Sequence, residues 1–201
     1  MNSENLWEAK NREEPGHSAR YMARFAALGA EGVDLEGEAR LADALLARSS
    51  RILDAGCGMG RIGGALARRG HQVLGMDLDA ELVAAAGKDY PDVDWRLGDL
   101  TDLSLPGETF DLIVCAGNVL TFLVPGTART VLTHFRYHLA PDGRAVVGFG
   151  AGRGYDFANF FRDVQDAGLH VSGRFSTWQL HPFTQESDFL VALLDQPTAA
   201  D

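Results

Sequence analysis

The feature that most constrains the fold is a short apolar strand that ends in an acidic residue and runs into a glycine-rich turn. From position 51 the sequence reads Arg-Ile-Leu-Asp-Ala-Gly-Cys-Gly-Met-Gly-Arg-Ile, so Gly56, Gly58 and Gly60 alternate with other residues. Glycine lets the backbone turn tightly and approach a ligand, because it has no Cβ. A helix that follows directs free N–H groups and positive dipole character toward such a ligand. This order indicates a βα unit with a ligand site at its turn.

Strands and helices alternate along the rest of the chain. Predicted strands cover residues 51–54, 72–76, 93–97, 110–116, 144–149, 169–178 and 188–194, and predicted helices cover 18–30, 38–47, 60–69, 79–88, 126–139 and 157–167, with a turn at 141–143. The connection 179–187 is too short for a crossover, so the last two strands should pair antiparallel. The pattern predicts a three-layer, Rossmann-like, doubly wound α/β fold whose seven-stranded sheet is mostly parallel with an antiparallel final strand.

Length and charge limit the organisation and the partners. A chain of 201 residues fits one domain that can bury a core without disulfides. We expect residues 1–35 to form an N-terminal helical lid segment, residues 36–196 to form the ligand-binding domain and residues 197–201 to form a tail. The net charge of −10 argues against nucleic acid and anionic membranes as partners, because both are negatively charged.

The spacing of the cysteines indicates whether the chain binds a metal, and its hydropathy indicates where in the cell it is located. Cys57 and Cys115 have no metal-ligand or CxxC spacing, so we expect no metal and two reduced thiols. No apolar run approaches the roughly 20 residues that span a bilayer. Residues 1–14 are polar and charged, unlike a signal peptide. The expected location is cytoplasmic, and the sequence leaves the oligomeric state open.

Two ligand chemistries compete for the glycine turn. Gly58, Gly60 and Gly63 satisfy the G-x-G-x-x-G fingerprint of dinucleotide-binding proteins. In that fold, however, the first glycine follows the strand directly, whereas here two residues intervene. Asp54 would also face the two charges of a diphosphate. S-adenosylmethionine (SAM) has no phosphate and carries an ammonium and a sulfonium, which suit a nearby acid.

The segment from Ile52 to Gly60 resembles the first motif of class I SAM-dependent methyltransferases. The resemblance implies that Gly56, Gly58 and Gly60 contact the aminocarboxypropyl part of SAM. The other motif positions are implied as cofactor-binding residues with them, namely Asp54, Ala55 and Cys57. The resemblance extends over about residues 45–150 and agrees with the predicted final strand pair.

Acids at the ends of the next two strands extend this interpretation. Asp77 ends the second strand, where a carboxylate can accept hydrogen bonds from both ribose hydroxyls, and Leu78 follows it. Asp99 follows the third strand. The resemblance implies that Asp99 accepts from the adenine amino group and that Leu100 lies against the ring.

The fourth strand and three other side chains are the candidates for the methyl-transfer end of the site. Residues 110–118 resemble the fourth-strand motif of the family, which implies that Ala116, Gly117 and Asn118 pass near the methionine moiety. Asn118 is the candidate polar group beside the acceptor. Tyr21 is expected to cover the cofactor as part of the lid, and His17 and His181 are the candidate bases.

The sequence therefore predicts a methyltransferase that acts on a small molecule and releases S-adenosylhomocysteine (SAH). The fourth strand leads into Asn118-Val-Leu-Thr and departs from the family's Asn/Asp-Pro-Pro-Tyr motif for nucleobase amino groups, which weakens a nucleic-acid acceptor further. Alignment of nucleophile and methyl supplies much of the rate, so a base is not obligatory. An NAD-dependent oxidoreductase that uses Gly58, Gly60 and Gly63 is one alternative. A non-catalytic SAM-binding module is the other.

Overall fold

A computed structural model describes residues 4–197, where seven strands form one sheet in the order β3-β2-β1-β4-β5-β7-β6. The strands are β1 (Arg51–Ala55), β2 (Gln72–Asp77), β3 (Asp94–Leu97), β4 (Phe110–Cys115), β5 (Leu139–Gly150), β6 (His170–Phe175) and β7 (Phe189–Asp195). The first five are parallel, and β7 runs antiparallel to both β5 and β6. The predicted fold class and the antiparallel final pair are confirmed.

Helices cover both faces of the sheet. They are α1 (Leu6–Glu13), α2 (His17–Ala30), α3 (Gly37–Ala44), α4 (Arg61–Arg68), α5 (Ala80–Asp89), α6 (Val119–Phe122), α7 (Ala128–His138) and α8 (Phe157–Asp166), with a 3₁₀ turn at Leu100–Asp102. No helix within residues 4–197 is both long and apolar enough to cross a membrane. Both α1 and α2 belong to the expected lid segment, whose boundary stays a prediction. Positions 198–201 of the expected tail lie outside the described residues.

Three local features differ from the sequence analysis. Neither α1 nor α6 was predicted, because α1 buries only Ala9 and α6 has a single turn. The turn expected at 141–143 lies inside β5, which begins at Leu139. There the pairing with β4 is irregular, since Phe110 pairs with Leu139 and Leu112 already pairs with Arg144.

The core has two layers, one on each face of the sheet. Buried side chains of β1 and β4, such as Leu53 and Ile113, point to one layer, and Ile52 and Leu112 point to the other. All four are fully buried, as expected for central parallel strands covered on both faces. This packing fixes the carboxyl ends of β1 to β4, from which the loops of the site emerge.

Trp95 explains three glycines, of which Gly60 and Gly63 were associated with a ligand in the sequence analysis. It pairs with Gly75 across β2 and β3, and a Cβ on Gly75 would lie 2.1 Å from its ring. Cβ atoms on Gly60 and Gly63 would lie 2.9 and 2.8 Å from the same ring. These glycines make room for an indole that packs against the glycine turn from below.

Replacing Gly75 with alanine is expected to destabilise the protein by about 1–3 kcal/mol, because the added methyl overlaps the Trp95 ring in a packed sheet. Gly87→Ala is the matched control. Gly87 lies inside α5 with no atom within 4 Å of an added Cβ, so that variant should gain roughly 0.5–1 kcal/mol. Urea unfolding of the three proteins measures both changes. Equal stability of Gly75→Ala and wild type would contradict the assigned packing.

Candidate active site

A cavity of about 770 Å³ opens above the carboxyl ends of β1 to β4, under a roof formed by α1 and α2. Eleven residues predicted for the site line it: His17, Tyr21, Gly56, Gly58, Asp77, Leu78, Asp99, Leu100, Ala116, Gly117 and Asn118. Residues far apart in sequence meet here because parallel strands end at the same edge of the sheet. Five other predicted residues, Asp54, Ala55, Cys57, Gly60 and His181, are not among the lining residues of the described chain.

Asp77 is placed to bind a vicinal diol. Its Oδ2 accepts a hydrogen bond from Gly58 N at 2.8 Å, and its Oδ1 accepts from Asp79 N at 2.9 Å. A carboxylate oxygen has two lone-pair sites, so each oxygen keeps one for a ligand hydroxyl. Burial raises the pKa of Asp77, although the backbone donors oppose that shift. The fixed pair of acceptors fits the ribose of SAM.

Asp99 presents a second acceptor to the cavity. It is the N-cap of the 3₁₀ turn, and its Oδ1 accepts from Thr101 N at 2.8 Å. Its Oδ2 has no hydrogen bond to any described residue. Leu100, only 4% exposed, lies on the same wall. A carboxylate oxygen next to an apolar surface fits an amino-substituted aromatic ring such as adenine.

The glycine turn divides into a ligand-facing part and a packing part. Gly56, Gly58 and Gly60 have φ values of 80°, 54° and 81°, a left-handed conformation that favours glycine. Gly56 and Gly58 line the cavity, and an ideal Cβ on Gly58 would lie 3.8 Å from the Tyr21 hydroxyl. Gly60 lies under Trp95 instead. In a dinucleotide site the second fingerprint glycine must approach the pyrophosphate, so this burial argues against that alternative.

Asp54 stabilises the glycine turn from within the core. It is 2% exposed, and its Oδ2 accepts from Gly63 N in the first turn of α4 at 2.8 Å. Burial raises its pKa to about 7, against the opposing effect of the Gly63 hydrogen bond. Ala55 is fully buried beside it, and Cys57 lines only a small recess next to the cavity. Burial also raises the pKa of the Cys57 thiol.

Charged residues on the cavity wall include a pair that the sequence analysis missed. Arg61, the first residue of α4, donates to both carboxylate oxygens of Glu38, at 2.6 and 3.0 Å, and also to Leu35 O. Arg24 and Arg153 line the same cavity without a salt bridge to any described residue. Arg61 and Arg24 are two of the cations on the cavity wall that could hold the carboxylate of SAM. The position of Arg61, directly after the glycine turn, was the available sequence signal.

The three candidate catalytic residues have different surroundings. Asn118 has a φ of 70°, and its Oδ1 accepts from Gly150 N at 2.8 Å, so its amide is fixed against β5. His17 lies edge-on to Trp7, with ring centroids 4.8 Å apart. His181 is exposed, and its Nδ1 is 3.0 Å from the Thr177 hydroxyl. The structure thus brings Asn118 and His17 to the cavity and leaves His181 outside it.

Trp178 forms the far wall of the cavity. A Cβ on Gly148, near the end of β5, would lie 2.3 Å from its ring, so the indole packs directly on the strand. Ser176, Thr177 and Phe189 line the same wall. This wall lies on the β5–β7 side of Asn118 and is not needed by the ribose or adenine contacts.

Comparisons with known proteins find methyltransferases similar to this chain. A family model described as a methyltransferase domain matches residues 52–143. A TehB-like SAM-dependent methyltransferase from Corynebacterium glutamicum is 47% identical with a TM-score of 0.88, and the match covers 92% of this chain and 100% of that one. SAM-bound CalS10, an amino pentose methyltransferase from Micromonospora echinaspora, shares the fold at 20% identity, with a TM-score of 0.68 and coverage of 85% and 96%.

Two curated relatives act on amino sugars. The dTDP-4-amino-2,3,4,6-tetradeoxy-D-glucose N,N-dimethyltransferase of Saccharopolyspora spinosa is 29% identical over 147 residues, 72% of this chain and 59% of its own length. The dTDP-3-amino-3,6-dideoxy-alpha-D-glucopyranose N,N-dimethyltransferase of Streptomyces fradiae is 33% identical over 143 residues, which cover 66% of this chain and 55% of that protein. The chain therefore spans a little over half the length of these relatives.

The strand order, the acids at the carboxyl edge and these likenesses define one class of protein. The chain belongs to the class I SAM-dependent methyltransferases, and its cofactor is SAM.

Proposed function

We propose that the protein transfers the methyl group of SAM to a small-molecule acceptor and releases SAH. The observation that carries the proposal is the extent of the cavity. It continues past the residues suited to ribose and adenine, beyond Asn118, to a second wall with Trp178 and Arg153. Space beside Asn118 supports a catalytic protein rather than a module that only stores the cofactor.

The protein contributes to the reaction mainly by positioning the acceptor and the methyl group, and less by acid–base chemistry. SAM supplies a methyl group activated by its sulfonium. Asp77 and the glycine turn fix one end of the cavity, and Asn118 is held against β5 near the other. Alignment of an acceptor with a fixed methyl is worth a large part of the barrier. Trp7 and Tyr21 in the roof exclude water, and His17 is the histidine on the cavity wall that can take up a proton from the acceptor.

Cations favour an acceptor that carries a negative charge. Arg153 projects from the exposed loop after β5 and lines the acceptor side without a carboxylate partner in the described chain. A guanidinium binds phosphate or carboxylate with two parallel hydrogen bonds. The two dTDP-amino-sugar relatives have acceptors with phosphates, and we infer that this protein's acceptor is likewise an anionic small molecule with an amino or hydroxyl nucleophile. The cytoplasmic location and the absence of a nucleic-acid partner stay predictions.

Calorimetry followed by an activity assay tests this proposal. SAM and SAH should bind saturably and NADH should not. SAH release should then rise with anionic acceptors such as dTDP-amino sugars, compared with the same sugars without phosphate. Arg153→Gln should raise the KM of an anionic acceptor about tenfold, the scale of one charge-assisted hydrogen bond.

Arg162→Gln is the matched control. Arg162 lies on α8 and bonds Asn159 on the surface, so its loss should leave the KM unchanged. Binding of NADH alone would contradict the methyltransferase function. SAH release with a protein or RNA and with no small molecule would contradict the acceptor class.

A further inference from the structure

Asp79 has more hydrogen bonds than a helix cap needs. It is the N-cap of α5 and 7% exposed, and its Oδ1 accepts from Glu81 N at 2.9 Å and Leu82 N at 3.2 Å. Those two bonds satisfy the helix terminus. The other oxygen, Oδ2, takes no part in capping and is turned toward the roof.

Three donors from the roof converge on that single oxygen. Asp79 Oδ2 accepts from Trp7 Nε1 at 2.7 Å, from Asn11 Nδ2 at 2.9 Å and from the hydroxyl of Ser18. Trp7 and Asn11 belong to α1, and Ser18 lies in the first turn of α2. The shared acceptor links the two helices to each other, and Ser18 Oγ lies 3.0 Å from Asn11 Oδ1. We call Trp7, Asn11, Ser18 and Asp79 the roof latch.

Few residues of the roof are fully buried. Ala9 is the one buried residue within α1, and Ser18 is the one buried residue within α2. Apolar burial in the roof comes from partly buried rings, of which Trp7 contacts Phe122 of α6. Hydrogen bonds to a charged acceptor are about twice as strong as neutral ones. The latch is therefore the main polar attachment of the roof to the sheet domain.

The latch is joined to the ribose-binding residue. Asp79 N donates to Asp77 Oδ1, and Asp77 Oδ2 accepts from Gly58 N. On the roof side, the hydroxyl of Tyr21 in α2 lies 3.8 Å from the position of an ideal Cβ on Gly58. A continuous path thus runs from the glycine turn through Asp77 and Asp79 to the roof and back to the turn.

We propose that Asp79 is a positioning residue of the cofactor site, which holds α1 and α2 closed over the cavity and at the same time orients Asp77. Roof closure and cofactor retention are then coupled through one residue, because the Asp79 carboxylate holds the roof and the Asp79 backbone N–H holds Asp77. Release of SAH requires the three roof donors to leave Asp79. This inference rests on the proposed function, since it assigns the cavity to SAM and SAH.

Measurement of SAH dissociation in latch variants tests the coupling. Trp7→Phe removes the indole donor but keeps a ring to contact His17, Tyr21 and Phe122. Ser18→Ala removes the hydroxyl donor. Each should raise the SAH dissociation rate about tenfold, the effect of one hydrogen bond to a charged group. Asp79→Asn can still cap α5 with its amide oxygen, but the amide nitrogen cannot accept hydrogen bonds from the three roof donors. This variant should raise the SAH dissociation rate further.

Ser172→Ala is the matched control, since Ser172 is an exposed residue of β6 that bonds only Leu193 O in the described chain. Its SAH dissociation rate should equal that of wild type. Hydrogen exchange of residues 6–30 without ligand should be faster in the three latch variants and unchanged in this control.

The outcomes separate the inference from the function. Wild-type binding of SAH together with unchanged dissociation from all three latch variants would overturn the latch, even if their melting temperatures fell. Absence of SAH binding to wild type would overturn the proposed function and the inference that rests on it. Faster dissociation with faster exchange confined to residues 6–30 would establish the coupling.

Discussion

Replacing Asp77 with alanine is expected to weaken SAM and SAH binding by about a hundredfold or more. The carboxylate has one acceptor site free on each oxygen, and two hydrogen bonds to a charged acceptor contribute about 1.5–3 kcal/mol each. The substitution also leaves Gly58 N, which donates to Asp77 Oδ2 at 2.8 Å, without its partner. Both effects act on the floor of the cavity, and calorimetry measures their sum.

Two further variants separate charge from geometry. Asp77→Asn keeps one acceptor oxygen, so its affinity should fall between those of wild type and Asp77→Ala. Asp102→Ala removes the same charge from an exposed residue of the 3₁₀ turn outside the cavity lining, and should bind SAM like wild type. Unchanged affinity of Asp77→Ala would remove Asp77 from the site. Equal losses in Asp77→Ala and Asp102→Ala would mean that net charge, rather than contact, governs binding.

The pH dependence of binding has a defined sign. Burial raises the pKa of Asp77, so the carboxylate becomes protonated at a higher pH than an exposed aspartate. A protonated acid offers fewer acceptor sites to the ribose. Affinity should therefore decline as the pH falls, beginning above the usual aspartate range near 3.9.

The acids of the site could be predicted because topology places them. Asp77 ends β2 and Asp99 follows β3, and parallel strands of an α/β sheet end at one edge. Knowing the strand pattern therefore suffices to bring these two residues together, without any knowledge of side-chain packing.

Contacts between distant side chains could not be predicted in this way. Asp79 meets Trp7 across 72 positions, and Arg61 meets Glu38 across 23. The sequence analysis placed Asp79 only at the start of the predicted helix 79–88, because the start of a helix is a local feature and the docking of α1 is not. The roles of Gly60 and Gly63 depended on where the Trp95 ring lies, which is also set by tertiary packing.

The raised pKa of Asp54 should have the second large effect, which is on the free energy of unfolding rather than on ligand binding. In the folded protein burial raises its pKa from 3.8 to about 7. Below pH 4 both folded and unfolded chains hold the proton, so there is no difference. Between pH 4 and 7, Asp54 loses its proton in the unfolded chain but keeps it in the folded one. Rising pH therefore favours the unfolded chain, and stability falls. At 1.36 kcal/mol per pH unit the loss approaches about 4 kcal/mol and levels off above pH 7.

Asp54→Asn should abolish this loss. The amide oxygen can still accept from Gly63 N, which Asp54 Oδ2 does at 2.8 Å, but nothing ionises. Urea unfolding without ligand should therefore show equal stability of variant and wild type near pH 4, and a variant more stable by up to about 4 kcal/mol at pH 8. Asp111→Asn is the control, because exposed Asp111 also accepts one backbone N–H, from Arg51 at 2.8 Å.

A difference between Asp54→Asn and wild type that is the same at pH 5 and pH 8 would mean that Asp54 ionises like an exposed acid. It could then attract the ammonium of SAM through its charge, as the sequence first suggested. A difference that grows with pH would mean that Asp54 is partly neutral at pH 7 in the free protein. Attraction of the cofactor would then fall to acids that line the cavity, such as Asp77 and Asp99, and Asp54 would serve to fix the glycine turn through Gly63.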